Sequence, residues 1–380
     1  MHTDLLLSGA NHVLASGDSS EGWEGQMSNE RSRVTTRRRF LGAAAGVTGV
    51  LAVSAIESSR ADAAGISENA ATSPATTRNF ARGPISLELG GVQQAVLKSA
   101  DGGDTIGQVT TYRSGSDPVA HKQIGNVKYE DFALLTNFDI ELPYAQWIVD
   151  MPNFQATRKN GAVVVGDFNF AVRSRREFQQ ALISEIGIPT LDASSKDAGY
   201  FTIGITPEHA SDGSPKGSIS KKSQNVQKRW QIQNFRLEID GLDCTRVNKI
   251  DSFTIKQKIV ENRLGESRDV GIVAESVEFA DLAVQFGATS LPSWQKWFDD
   301  FVVKGNSSDS NEKNGRIVFL APDLKTELGV LQFHHIGIYA LDSDNEPDSA
   351  GALSESLARA RALLYVEQMN FTKFGPYALT

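Results

Sequence analysis

The chain has 380 residues, enough for one or two sizeable cores, and 40% hydrophobic with 22% charged residues is the composition of a soluble globular protein. A formal net charge of −8 argues against a general nucleic-acid binder, which carries a basic face. The single cysteine, Cys244, excludes an internal disulfide, a cysteine-rich zinc site and an iron–sulfur cluster, and is read as a space-filling residue near a turn.

In chain order, the first feature is Thr36-Arg37-Arg38-Arg39-Phe40-Leu41, followed by the uncharged, alanine-rich run Gly42 to Ile56 and the small-residue cleavage pattern Ala61-Asp62-Ala63. This is the pattern of a twin-arginine (Tat) export signal, with Arg37, Arg38, Phe40 and Leu41 as its motif. The apolar run is about 15 residues, short for a membrane span. Residues 1–63 are therefore expected to be a signal peptide with a polar leader, whose length makes Met27 an alternative start. The expected destination is beyond the cytoplasmic membrane, periplasmic or extracellular, with no transmembrane segment in the mature protein. The competing reading is a basic tail before a core helix.

Residues 64–83, rich in Ser, Thr, Ala and Asn, read as a flexible lead-in, and 211–228, with two glycines and a proline, as a second linker. Two β domains are expected, at 84–210 and 229–376. Phe235–Ile239, Phe253–Ile259 and Val277–Val284 alternate apolar and polar residues with the period of a strand; Arg316–Leu320, Leu328–Phe333 and Ala362–Met369 are strand-length runs bounded by turn residues. The exception is Leu291–Phe301. A proline near its start and Trp294, Trp297, Phe298 and Phe301 at helical spacing predict one helix with an apolar face. Such a face is core, not an aromatic ligand cage.

Many of these features occur twice, about 150 residues apart. Leu87-Glu88-Leu89 faces Leu237-Glu238-Ile239, and Val127–Leu134 faces Val277–Val284 in the same apolar phase. Tyr144 falls opposite Trp294 and Trp147 opposite Trp297, each pair beside a Leu-Pro dipeptide. Ile186-Gly187-Ile188 is set against Ile336-Gly337-Ile338, and Leu191-Asp192 against Leu341-Asp342. Lys159-Asn160-Gly161 matches Lys313-Asn314-Gly315 with a shift of four. A period of domain length, with features in the same order, predicts a tandem duplication and not a solenoid or propeller.

The second copy resembles the tail-tube proteins of contractile bacteriophages, a family that includes the tube proteins of type VI secretion. The pieces that carry the resemblance are the opening strand and turn Phe235–Leu242, the Val277–Val284 strand running into Gly287, the Trp294–Phe298 helix, the Asn314-Gly315 turn with strand Ile317–Leu320, and a long closing strand. Residues 84–210 carry the same outline more faintly. The resemblance implies a mainly β fold, two tandem tail-tube-like β-barrel or sandwich domains with one flanking helix each. It also implies self-association: two fused copies would close as a trimeric ring with pseudo-six-fold symmetry, with stacking left open. Other tube or particle components are further implied partners. The Tat signal departs from that family, whose tube subunits assemble in the cytoplasm, so fold and ring formation transfer better than an injection role.

Chemical motifs are sparse. His334 and His335, adjacent in a strand, point to opposite faces and do not chelate one ion together. His121 and His209 have no partner at metal spacing. Asp342–Asp348 alternates acids like a calcium loop but lacks the central glycine and terminal glutamate, and Asp101-Gly102-Gly103-Asp104 is weaker still. Asp299 and Asp300 could be paired carboxylates, but read as solvent-facing beside Lys296 and Lys304. Lys221-Lys222 and Lys228-Arg229 read as a solvated basic tether. No nucleophile elbow, phosphate loop or dinucleotide fingerprint is present in the sequence. The expectation is a non-enzymatic structural protein without cofactor, metal or nucleic-acid partner. The alternative is an extracytoplasmic module that binds a ligand or envelope component on the same scaffold.

Overall fold

The computed structural model describes residues 83–115, 117–220, 230–262, 270–344 and 359–379. The twin-arginine motif, most of the first expected linker, the basic residues 221–229 and positions 345–348 of the acidic loop lie outside the described residues.

The first half holds β1 (Ile85–Leu89), β2 (Val92–Leu97), β3 (Ser99–Asp101), β4 (Thr105–Tyr112), β5 (His121–Tyr129), β6 (Phe132–Thr136), α1 (Leu142–Asp150), β7 (Lys159–Gly166), β8 (Val172–Ile188), β9 (Leu191–Asp192), β10 (Phe201–Thr206) and β11 (His209–Asp212). The second holds β12 (Phe235–Ile239), β13 (Val247–Ile250), β14 (Phe253–Asn262), β15 (Gly271–Glu278), β16 (Leu282–Gly287), α2 (Leu291–Phe298), β17 (Lys313–Leu320), β18 (Glu327–Asp344), β19 (Arg359–Phe374) and β20 (Tyr377–Ala378). The fold is mainly β, with one α-helix in each half among the described residues.

One sheet runs β2-β1-β7-β8-β10-β6-β3 and another β12-β17-β18-β19-β16-β13-β9; β4 and β5 form a separate two-stranded sheet. The shared order β1-β7-β8-β10-β6-β3 and β12-β17-β18-β19-β16-β13 extends to residue level. Leu87 pairs with Val163, and Leu237 with Ile317, at the equivalent point of each sheet. In β8, Gln180 adopts φ 49° and its amide donates to Asn160 Oδ1 at 2.7 Å; in β18, His335 adopts φ 54° and its amide donates to Asn314 Oδ1 at 3.4 Å. A positive φ is uncommon for a residue with a side chain, so its recurrence at the equivalent point of both strands is informative. Each twist is accommodated by a bulge against the preceding strand.

The structure differs from the sequence reading in two local respects. Val127–Leu134 and Val277–Val284 are each two strands, not one: the chain breaks at Glu130-Asp131 and at Phe279–Asp281, leaving a hairpin behind and entering another sheet. The apolar phase slips by one residue at each break, from 127 and 129 to 132 and 134 and from 277 and 279 to 282 and 284, a change that reading each run as one strand passes over. The β8–β18 correspondence is also five residues away from that expected. Because Gln180 matches His335, Ile186 matches Leu341 and not Ile336, and Leu191-Asp192 has its counterpart beyond the described part of β18.

Both helices carry a Leu-Pro pair in their first turn, where the proline's missing N–H costs no helical bond. α1 packs on β2, β8 and β19, and α2 on β18. Tyr144, Trp147, Trp294 and Trp297 are buried, and Phe298 is partly buried against the same core. Hydrogen bonding at these aromatics is uneven. The Trp147 indole donates to the Thr157 carbonyl at 2.8 Å and that of Trp294 to the Asp243 carbonyl at 3.1 Å, whereas the Tyr144 hydroxyl and the Trp297 indole N–H find no partner. Burial pushes ionisation of Tyr144 far above the ordinary phenol range. Removing a buried, unpaired hydroxyl relieves its desolvation cost, so Tyr144→Phe is expected to raise stability by about 1 kcal/mol. A higher thermal midpoint is the readout, and a lower one would show that the hydroxyl is satisfied by solvent.

Part of the segment read as the second linker is packed. Ile219 is buried with Ala162, Val164 and Val172, and Ser220 exchanges hydrogen bonds with the Gln93 side chain.

Candidate assembly interface

The two halves exchange strands. β8 has two edges: β10 and β11 pair along one, β7 and then β14 along the other. β14 comes from the second half. Its register is Phe253 with Ile188, Thr254 with Gly187, Ile255 with Ile186 and Lys256 with Glu185. Ile255, Ile186 and Ile188 are buried there, so apolar burial accompanies the backbone pairing. In return, Leu191 and Asp192 of the first half pair with Ile250 and Lys249 of β13 in the other sheet.

An aromatic seam closes the same junction. The Phe138 ring lies 4.9 Å from Phe201 of β10, 5.4 Å from Trp230, 5.5 Å from Phe319 of β17 and 5.1 Å from Phe374 of β19, centroid to centroid. Two glycines make the space: a Cβ at Gly329 would fall 2.4 Å from the Phe138 ring, and one at Gly199 would fall 2.2 Å from the Trp230 ring. The core is therefore one continuous cluster drawn from both halves. Sequence reasoning missed this junction, although Phe138 and Trp230 stand out as large apolar residues outside the predicted strands.

The groups weighed for chemistry are engaged elsewhere. His334 Nε2 lies 2.9 Å from Asn370 Oδ1, and His335 Nδ1 lies 2.8 Å from Glu312 Oε2 on the other side of the strand. Among the described residues, Glu312, His335 and Glu367 are the cluster with three possible metal ligands. It is poorly built for an ion, since both Glu312 oxygens already contact other side chains: Tyr365 donates to Oε1 at 2.7 Å, and burial together with that carboxylate pushes the Tyr365 phenol well up. His121 sits 2.9 Å from Asp117, and His209 2.8 Å from the Tyr129 hydroxyl. Asp104 pairs with Arg176 at 2.7 Å. Asp299 accepts from Gln295 and Asp300 from Asn306 and Lys304, so the two carboxylates are not brought together. Burial pushes the Cys244 thiol up to about 11, which keeps it protonated and a poor nucleophile near neutral pH.

A groove of about 480 Å³ runs between the β4–β5 and β14–β15 hairpins, lined by Lys128, Glu130, Glu208, Gln257, Glu261 and Ile272 among others. Lys128 and Glu261 approach to 3.9 Å across it, and Arg158 closes one end by bonding Glu208 and the Ile272 carbonyl. Two of its carboxylates, Glu208 and Glu261, are engaged by Arg158 and Lys128, while Glu130 and Asp131 leave the groove acidic on balance. Among the described residues no helix is long and apolar enough to cross a membrane, a statement that does not bear on strands.

No family model matches the chain, and no curated protein matches it. Among solved structures it is similar to a chain of the anti-feeding prophage (AFP) baseplate, at 14% identity, covering 37% of this chain and 93% of that one, with a TM-score of 0.28. A chain of the AFP tube-terminating cap is similar at 11% identity, covering 41% and 99%, with a TM-score of 0.32. A third likeness is to the PVC sheath–tube complex of an extracellular contractile injection system in its extended state, at 18% identity, 40% and 98% coverage and a TM-score of 0.28. These structural neighbours are components of contractile injection systems.

Proposed function

We propose that this chain is a non-enzymatic structural subunit, built from a tandem-duplicated tube-like β domain, that self-assembles into rings. The observation that carries the reading is the junction between the halves. One half meets the other edge to edge, with β14 added to β8 and β9 to β13. A surface that joins like to unlike in this way is heterologous, and such contacts close into rings when the rotation permits. Closure also removes exposed strand edges that would otherwise invite open-ended pairing. The duplication is supported by the shared strand order and by the matching twists at Gln180 and His335. With two domains per chain, a trimer would present six domains with pseudo-six-fold symmetry, and self and other particle components are the partners. Arg37, Arg38, Phe40 and Leu41 assign the chain to Tat export, which carries proteins already folded, so assembly would follow or accompany passage across the cytoplasmic membrane.

Size-exclusion chromatography with light scattering, followed by negative-stain microscopy of protein lacking residues 1–63, tests the assembly. A mass of three chains and ring-shaped particles are expected; a monomer at every concentration removes the reading. Export is tested separately, by fractionating cells that express the full chain or its Arg37→Lys/Arg38→Lys variant. Loss of the exported pool in the variant is expected, and an unchanged distribution removes the Tat assignment.

A further inference from the structure

Resting on that ring-forming reading, we infer that the β4–β5 hairpin of one copy is added to the free edge of β18 in the next, repeating between chains the β14–β8 pairing made within one. Two hairpins of the chain share one build. Ile106 pairs with Lys128 and Gly107 with Val127; 150 residues on, Lys256 pairs with Glu278 and Gln257 with Val277. Each hairpin then shifts register within two residues, to Val109 against Ile124 and Ile259 against Ala274. The β14–β15 hairpin is anchored on β8. The β4–β5 hairpin forms a sheet of two strands, and every residue of β4 is exposed. Ile106 is 45% and Ile124 61% exposed. A two-stranded sheet in water is marginal by itself, and this one exposes apolar side chains and has no third strand paired to it among the described residues.

The acceptor is defined by the same matching. In β8, β7 occupies one edge up to Ala181, and β14 takes over from Glu185 to Ile188. In β18, β17 occupies the corresponding edge up to Ile336, while β19 covers the other edge throughout. From Gly337 to Asp342 the first edge has no strand among the described residues. The bulge that sets Gly204 against Glu185 and Ile205 against Ile183 recurs where Leu363 meets Ala340 and Leu364 meets Ile338. Glu185 therefore corresponds to Ala340, and Ile186 to Leu341. Substituting into the internal register, Thr105 of one copy would face Leu341 of the next, and Ile106 would face Ala340. Burial agrees with a missing strand: Ile186 is fully buried under β14, whereas Leu341 is only partly covered. The donor hairpin lies in the first half and the acceptor edge in the second, so each copy gives in one direction and receives from the other, as a closed ring requires.

The test is a cross-link in protein lacking residues 1–63. Cys244→Ser supplies a background without thiols, and Thr105→Cys and Leu341→Cys are added singly and together. Directly paired strand residues lie within the Cα separation a disulfide spans. Mild oxidation of the double variant is expected to give covalent oligomers up to the size of the ring on a non-reducing gel, and neither single variant a ladder. A second variant, Leu341→Arg, checked for folding by circular dichroism, is expected to shift the assembly to single-chain mass. Assembly without the cross-link, or a disulfide closed within one chain, overturns this pairing and leaves the ring reading standing. An assembly indifferent to Leu341→Arg overturns it as well. A wild-type chain that is monomeric throughout removes both.

Discussion

Phe138→Ala is expected to lower the stability of the folded chain by about 3–5 kcal/mol, the range for deleting a buried aromatic ring whose surroundings cannot collapse. Four aromatic partners from both halves surround the ring, which is only 6% exposed. The neighbours are poorly able to move in. Gly329 is a β18 residue paired with Phe374 of β19, and Gly375, at φ 64°, places its backbone against the Phe138 carbonyl, where a Cβ would stand 2.6 Å away. The cavity should therefore persist, and its cost adds to the lost transfer energy. The location matters as much as the size. Phe138 follows β6 in the first half, while Phe319 and Phe374 belong to the second, so its loss weakens the attachment of one half to the other. In urea or thermal unfolding the wild type is expected to show one transition, as a shared core demands, and Phe138→Ala a lower midpoint with the halves beginning to separate. A loss below about 0.5 kcal/mol, within what a surface change produces, would show that the seam does not join the halves.

The contrast between Phe138 and the opening strands shows where the sequence was informative. Strand β12 was legible because Leu237 and Ile239 alternate with polar residues and face a core, and the echo at Leu87 and Leu89 lies in the same register against the next strand. Helix α2 was legible because a proline and a 3–4 spacing of aromatics admit few other readings. What period-two alternation does not encode is the partner. Phe253–Ile259 has the same pattern whether it pairs within its own half or on β8, so the exchange of strands is invisible in it. The five-residue error at β18 has a similar origin: Ile-Gly-Ile occurs at 186–188 and at 336–338, but the twists at Gln180 and His335, set by side-chain amides of Asn160 and Asn314, fix a different correspondence. For the candidate interface, the sequence around Val109 and Ile124 yielded no prediction. Only their exposure, at 60% and 61%, shows that the hairpin lacks a cover.

The second large effect falls on the helix of the second half. Trp294 is fully buried, stacks on Phe286 at 4.5 Å and 21°, and donates its indole N–H to the Asp243 carbonyl. Trp294→Ala removes the ring, the stack and the bond together, and a loss of about 3–5 kcal/mol is expected from the lost burial and the cavity it leaves. Trp294→Phe separates the contributions: it keeps an aromatic face on Phe286 but leaves the Asp243 carbonyl without the indole donor, a smaller cost of about 1–3 kcal/mol. Trp297 is the control one turn on. Its ring carries Lys313 at 5.5 Å, yet its N–H has no partner, so Trp297→Phe forfeits no hydrogen bond. The order of stability expected from chemical denaturation is wild type near Trp297→Phe, then Trp294→Phe, then Trp294→Ala. The Asp243 turn gives the ranking its physical sense. The Asp243 carboxylate accepts from Ser290 and Thr245, while its carbonyl accepts from Trp294, so one residue ties the strand β13 approach to the start of α2. If Trp297→Phe proved as costly as Trp294→Phe, packing volume alone would account for the helix, and the Asp243 bond would have no separate part in seating it on the sheet.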